Sequence, residues 1–185
     1  MNRMVRAELG RAERTEAPKS DSHGHRVSAL SDRLDGVFAA IAGYAPLPEL
    51  AHYADASVDL LYCGGVLHRM SRADGVDLVE GCFRVLKPLG SLRVVTIDLD
   101  QLVQGYLFDW TDDGDAGASR TEKLNAAFLP SRVQFIYGEE ELNGLLAQAG
   151  FTDIRRFAVG ASSHRRFWNL ETDRANALIL EAIKP

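Results

Sequence analysis

His68 lies three residues beyond Ser57–Gly65, an apolar run that ends in two glycines, and is the side chain best placed for proton transfer. An imidazole titrates near neutrality, so it can take a proton from an oxygen or nitrogen nucleophile. A surface or helix-capping role is the simpler alternative. Cys63 and Gly64 close the same run and are expected to line a cleft at its end. Tyr106, Trp110, Tyr137 and the stretch SSHRRFW (Ser162–Trp168) bring aromatic rings that can close over a bound molecule. Tyr106 and Trp110 fall in an amphipathic stripe, which suits core packing better. Phe167 and Trp168 lie outside any clear period and are better lid candidates. His23 and His25 form an H-x-H pair with no carboxylate or cysteine at ligand spacing, so no metal is expected there. Asp112, Asp113 and Asp115 lack the chelating glutamate of a cation loop and read as a solvated connector. The sequence holds no phosphate loop, nucleophile elbow or zinc motif.

These residues need a scaffold. The chain has 185 residues, 46% of them hydrophobic and 25% charged, which suits one globular domain with its own core. A net charge of −5 argues against a general nucleic-acid or membrane-surface binder. Two cysteines, Cys63 and Cys82, form no CxxC pair, and a reducing cytoplasm is the expected location. The first residues show no apolar secretion signal. The longest mostly apolar stretch, Gly36–Leu50, is broken by Gly43, Pro46 and Pro48 and cannot span a bilayer. Residues 1–26 are polar and partly flexible in this reading, and the domain proper is expected over 27–185.

Within that domain, Ser57–Gly65 reads as a buried strand and a tight turn. Ser71 precedes Asp74 by three residues, a capping-box pattern, and Val76, Val79, Phe83 and Leu86 share a helical face with Leu78 and Cys82. Pro88 and Gly90 stop that helix, and Leu92–Ile97 is the next strand, apolar at most positions as when both sheet faces are covered. Leu99, Leu102, Val103, Tyr106, Leu107 and Trp110 repeat at helical spacing, with Asp98 and Asp100 at the positive end of that helix. Thr111–Glu122 is an acidic loop. Glu139–Glu141 open a further helix that Gly150 caps, and Ile154–Val159 and Ala175–Ile183 read as closing strands. Val27–Ala42 is ambiguous, a short strand followed by a helix or second strand. The alternation predicts an α/β sheet whose ligands bind beyond the carboxyl ends of the strands, here Tyr62–Gly65 and Ile97–Asp100.

Three stretches together resemble a known family: YADASVDLLYCGGVLHRM, FRVLKPLGSLRVVTIDL and YGEEELNGLLAQAGFTDIRR. They are similar to the central and C-terminal parts of small class I S-adenosylmethionine-dependent methyltransferases, from about Tyr53 to Pro185. The turn RVLKPLG (Arg84–Gly90), the exit AGF (Ala149–Phe151) and the terminal ILEAIKP carry the likeness. The resemblance implies a three-layer Rossmann-like sheet, mostly parallel and seven-stranded, with an antiparallel last strand. Only some fifty residues precede the family's fourth strand, where three strand–helix units need about eighty or more. The sheet is therefore expected to lack N-terminal strands.

The resemblance also implies S-adenosylmethionine as cofactor. It would be held by a glycine-rich loop after the first strand and by an acidic residue on the ribose hydroxyls. The candidate loop is VRAELGRAER, with Glu8 and Gly10 kept and Arg11 and Ala12 where further glycines belong. The ribose carboxylate is Asp32 or Asp35. Cys63 and Gly64 would line the cofactor cleft, His68 would be the general base, and Tyr106, Tyr137, Phe167 and Trp168 would face the substrate. The family's LEH reads LHR here (Leu67–Arg69), and its PGG reads PLG (Pro88–Gly90). Two functions follow: a methyltransferase acting on a small molecule, or a catalytically degenerate subunit that supports an active paralogue in a homo- or hetero-oligomer.

Overall fold

The computed structural model describes residues 30–32, 36–42, 47–110, 117–128, 132–171 and 176–185. Six strands form one sheet: β1 (Leu30–Asp32), β2 (Gly36–Ala42), β3 (Val58–Gly64), β4 (Leu86–Ile97), β5 (Thr152–Arg156) and β6 (Ala177–Ile183), in the order β1-β2-β3-β4-β6-β5. β2, β3 and β4 run parallel; β6 runs antiparallel to β4 and to β5, and β1 antiparallel to β2. Val27–Ala42 thus contains two strands. Among the described residues four α-helices accompany the sheet: α1 (Arg72–Val85), α2 (Leu99–Gln104), α3 (Arg120–Phe128) and α4 (Glu139–Gln148). Single 3-10 turns cover Leu47–His52, Leu67–Arg69 and Arg165–Phe167.

Local chemistry sets the element ends. Ser71 caps α1: its hydroxyl accepts the Asp74 N–H at 3.2 Å and donates to the Asp74 carboxylate at 2.7 Å. This satisfies one of the orphan donors of the first helical turn. Gly150 follows α4 with a φ of +102°, the conformation a glycine adopts freely after a helix. Between α1 and the body of β4, Leu89 has a φ of +64° and is 80% exposed. A leucine therefore sits in the left-handed region where the family's PGG would place a glycine. At Gly90, a Cβ would lie 2.8 Å from the Lys87 carbonyl oxygen and 3.0 Å from that of Asp59, so only glycine fits.

Strand alternation divides the core in two. On the first face Leu61, Cys63, Leu92, Val94, Leu178, Leu180 and Ala182 meet Leu78, Val79, Cys82 and Val85 of α1 and Leu142, Leu145 and Leu146 of α4. Each leucine buried there contributes about 1.5–3 kcal/mol. On the second face Tyr62, Val95 and Ile179 meet Phe167, with Phe157 and Leu170 at the margin. Among the described residues this face is covered not by a helix but by the irregular segment 157–171, a strap that crosses the sheet.

The strap is held by ions. Arg93, at the centre of β4, is fully buried and points to the second face. Its Nε donates to Glu171 Oε1 at 2.9 Å, and its Nη1 to Glu181 Oε1 at 2.5 Å. Its Nη2 also pairs with Glu171. The remaining oxygens are used as well. Glu171 Oε2 accepts the Gly160 N–H, and Glu181 Oε2 accepts from the N–H and the hydroxyl of Ser163.

Candidate functional site

The carboxyl ends of β3 and β4 lie side by side, and each turns away by a different device. After Gly64, Gly65 takes a φ of +69°, and its N–H donates to the Val95 carbonyl at 2.9 Å. Buried Val66 and Leu67 then pin the 3-10 turn Leu67–Arg69. Asp98 ends β4. It is fully buried, caps α2 by accepting the Gln101 N–H at 3.1 Å, and receives Arg156 Nη2 at 2.6 Å. Arg156 also pairs with Glu139 in the first turn of α4. The Glu139 hydrogen bond and, next, the Asp98 charge raise the guanidinium's pKa further and hold it protonated. Asp100 Oδ2 accepts the Glu139 N–H at 2.9 Å, so the first turn of α2 caps α4. A cavity of about 500 Å³ opens here, lined by Arg72, Asp100, Gly138, Glu140, Glu141 and Leu145, with Arg72 and Glu141 paired at 2.8 Å.

The residues singled out in the sequence are distributed unevenly about this rim. Glu8, Gly10 and Asp35 lie outside the described residues, and Asp32 is placed only as the last residue of β1. His68 is 5% exposed; its Nδ1 is 3.3 Å from Thr96 Oγ1, and its carbonyl accepts the Gln134 N–H at 2.8 Å. It stands behind the turn, against β4. The Cys63 side chain points into the first-face core, where burial pushes its thiol from 9.0 up to about 12, so it offers the rim only its backbone. Tyr137 is fully buried, stacked edge-on against Phe135 at 4.8 Å, and burial raises the pKa of its phenol. Its backbone bridges to Asp98. Tyr106 lies in the π-helical turn Gly105–Asp109, with the Arg120 guanidinium over its ring at 5.7 Å. Phe167 is fully buried on the second face, and Trp168 beside it is half exposed. These four aromatic residues are therefore not gathered over one opening.

A cofactor at these strand ends needs backbone that it can approach closely and a carboxylate able to accept from ribose hydroxyls. Gly65 meets the first need: nothing lies within 4 Å of where its Cβ would be. Gly64 does not, because the Tyr62 ring already fills the space its Cβ would take. The carboxylate is missing from the described strand ends, since Asp98 is bound by Arg156 and Asp100 by the backbone of α4. The described residues make half of a holder for S-adenosylmethionine and do not fit it alone.

The sequence reading missed Arg156 and the Arg93–Glu171–Glu181 group. Arg93 puts a charge into a strand half that is apolar at most positions, Leu92–Ile97, and that interruption was the available signal. Arg156 gave none, because an arginine on an edge strand usually faces water. Among the described residues, no group of three or more His, Cys, Asp or Glu side chains is placed to hold a metal ion. Nor is any helix long and apolar enough to cross a membrane.

Comparison with known proteins gives a partial match. Residues 36–94 match the family described as a methyltransferase domain. No curated protein sequence matches. Among solved structures, the chain is similar to a SAM-dependent methyltransferase from Archaeoglobus fulgidus, with 9% identity, 76% of this chain and 65% of that one covered, and a TM-score of 0.50. It also aligns with a possible exported protein from Bordetella parapertussis (20% identity, 74% and 42% covered, TM-score 0.48). A third is human N-acetylserotonin methyltransferase solved with SAM (21% identity, 76% and 31% covered, TM-score 0.43). The chain thus spans less than half the length of the last two. The family match covers residues 36–94, less than half of the chain, and the likeness to the Archaeoglobus fulgidus structure is one of fold.

Proposed function

We propose that this chain is a methyltransferase-like protein that serves methyl transfer from S-adenosylmethionine to a small molecule. The observation that carries this reading is the rim at the ends of the neighbouring strands β3 and β4, with the open backbone of Gly65 within the matched family segment and the buried Asp98, which caps α2, just after it. In this reading the Asp98–Arg156–Glu139 group orients the first turns of α2 and α4, which line the 500 Å³ cavity next to the strand ends. In this reading Tyr106, on the turn that follows α2, is the aromatic residue with access to a substrate, and His68, buried against Thr96, steadies the turn after β3. Methyl transfer rewards alignment more than acid–base chemistry, so a rigid rim is the larger contribution.

A second reading has its own observation. The Tyr62 ring beside Gly64 and the committed Asp98 leave the cofactor holder incomplete. A subunit that completes or stabilises the site of an active methyltransferase partner, in a homo- or hetero-oligomer, needs no complete holder of its own.

Calorimetric titration of the purified chain with S-adenosylmethionine and S-adenosylhomocysteine separates the two. Micromolar binding is expected from the first reading, with residues outside the strand ends completing the holder. An absence of heat with both ligands overturns it and selects the subunit reading.

A further inference from the structure

We propose that the cavity of about 500 Å³ along α4 takes a small organic cation, an amine that carries an apolar body. As a methyl acceptor this amine rests on the methyl-transfer reading; as a ligand it does not. The volume lies within the range of small-molecule sites. One wall is α4, where Glu140, Gly144 and Gln148 follow at four-residue spacing and so share a side of the helix. Leu99 and Asp100 bring the start of α2 to the same cavity.

The lining carries more negative than positive charge. Among the described residues Arg72 is its one cation, and Arg72 is paired with Glu141, whose Oε1 accepts from Nε at 2.8 Å. The Glu140 carboxylate makes no hydrogen bond or ion pair among the described residues. Asp100 has no cation of its own there either, since its Oδ2 accepts the backbone N–H of Glu139. Arg156 does not offset these two, because it is bound by Asp98 and Glu139. Two carboxylates are thus left for a ligand, and an ammonium group, with three donors and no acceptor, answers them. Leu99 and Leu145 offer apolar surface for the rest of the molecule.

Gly144 keeps the cavity open. A glycine inside a helix is unfavourable relative to alanine, so its presence needs a reason. In α1 the reason is packing: a Cβ on Gly75 would run into the Tyr137 hydroxyl, and one on Gly81 would lie 2.9 Å from Leu50 Cδ1. Gly144 has no such neighbour. Nothing lies within 4 Å of where its Cβ would be, and its φ is not positive. Neither packing nor backbone conformation therefore asks for glycine in the middle of α4. A side chain there would enter the cavity itself, one turn along from the unpaired Glu140. Space kept clear over the helix, beside a carboxylate without a cation, is what a bound amine requires.

The isotope-labelled full chain is titrated with phenethylamine, with its neutral counterpart phenethyl alcohol and with the anion hydrocinnamate, and the backbone amide resonances of Gly138 and Gly144 are followed. Saturable shifts are expected with the amine and none with the alcohol or the anion. Glu140→Gln is expected to weaken the amine at least about fivefold, because it removes a charge-assisted partner. Gly144→Leu places a better helix former in α4, so it is expected to keep or raise the melting temperature and yet to abolish the shifts of Gly138. No saturable shift with the amine overturns the proposal. So does equal binding of the alcohol, or a Gly144→Leu variant that binds the amine as tightly as before. The titration contains no S-adenosylmethionine, and calorimetry with that cofactor decides the methyl-transfer reading separately. Amine shifts without cofactor binding leave this site standing and overturn that reading; cofactor binding without amine shifts does the opposite.

Discussion

On one face of the sheet Leu61, Leu92 and Leu178 meet the leucines of α1 and α4; on the other, Arg93 stands at the same depth between Glu171 and Glu181. The two faces share strands and alternate residue by residue along β4, yet they are closed by different forces. The first relies on apolar area, which is non-directional and tolerates small shifts. The second holds an irregular strap, which has no helix face to offer and is fixed by directional ion pairs and by hydrogen bonds from its own backbone. The gain from such a buried group is small against an apolar replacement, but the cost of breaking it is large. The second face is therefore the more brittle one.

The sharpest way to break this contrast is Arg93→Ala. It strands two buried carboxylates and is expected to cost about 3–5 kcal/mol, read as a lower urea midpoint and earlier proteolysis within 157–171. A combined Arg93→Met, Glu171→Leu, Glu181→Leu variant should recover part of that loss. If Arg93→Ala leaves the midpoint unchanged, the ionic account of the second face is wrong. On the first face, Leu146→Ala, at a fully buried position, is expected to cost about 3 kcal/mol through lost transfer energy and a cavity, with the strap's protease resistance unaltered.

A smaller effect belongs to alkaline pH. The Cys63 thiol is held at about 12 when folded and near 9.0 when exposed. Its folded pKa is the higher, so the protective contribution is complete below pH 9 and is lost as pH rises toward 12. At pH 10 the loss is on the order of 1 kcal/mol from this thiol alone, to be read as a fall in urea midpoint that Cys63→Ala reduces. The mildest change concerns the turn that delivers β4 to both faces. Leu89→Gly relieves a left-handed leucine and is expected to stabilise by about 0.5–1 kcal/mol, a rise in melting temperature of a few degrees. A fall instead would mean that the exposed leucine makes a contact worth more than the backbone strain.

Much of the first face was legible from periodicity. The α1 stripe, the Ser71 cap and the Glu139 helix appear where spacing placed them, because each depends on neighbours within a few residues; α1 ends at Val85, and β4 begins at Leu86 and runs through Pro88–Gly90 rather than starting at Leu92. The helix read through Trp110 changes at Gly105 into a π turn, which packing of Trp110 against Gly105 accompanies. α3 was not expected, because it buries no side chain and so leaves no apolar period to read. The strand expected at Ile154–Val159 ends at Arg156, where the chain leaves the sheet as the strap.

The sequence by itself determined most of the strands and helices from Val58 onward, the caps, and the likeness of Tyr53–Pro185 to the methyltransferases. All of these follow from short-range pattern and composition. Only the tertiary structure decided that Glu171 and Glu181 meet Arg93 across 78 and 88 residues of chain, that Arg156 closes on Asp98, and that the Tyr62 ring fills the space beside Gly64. Charge pairing and close packing act through space, and the partner of a buried charge leaves no mark at a fixed sequence distance.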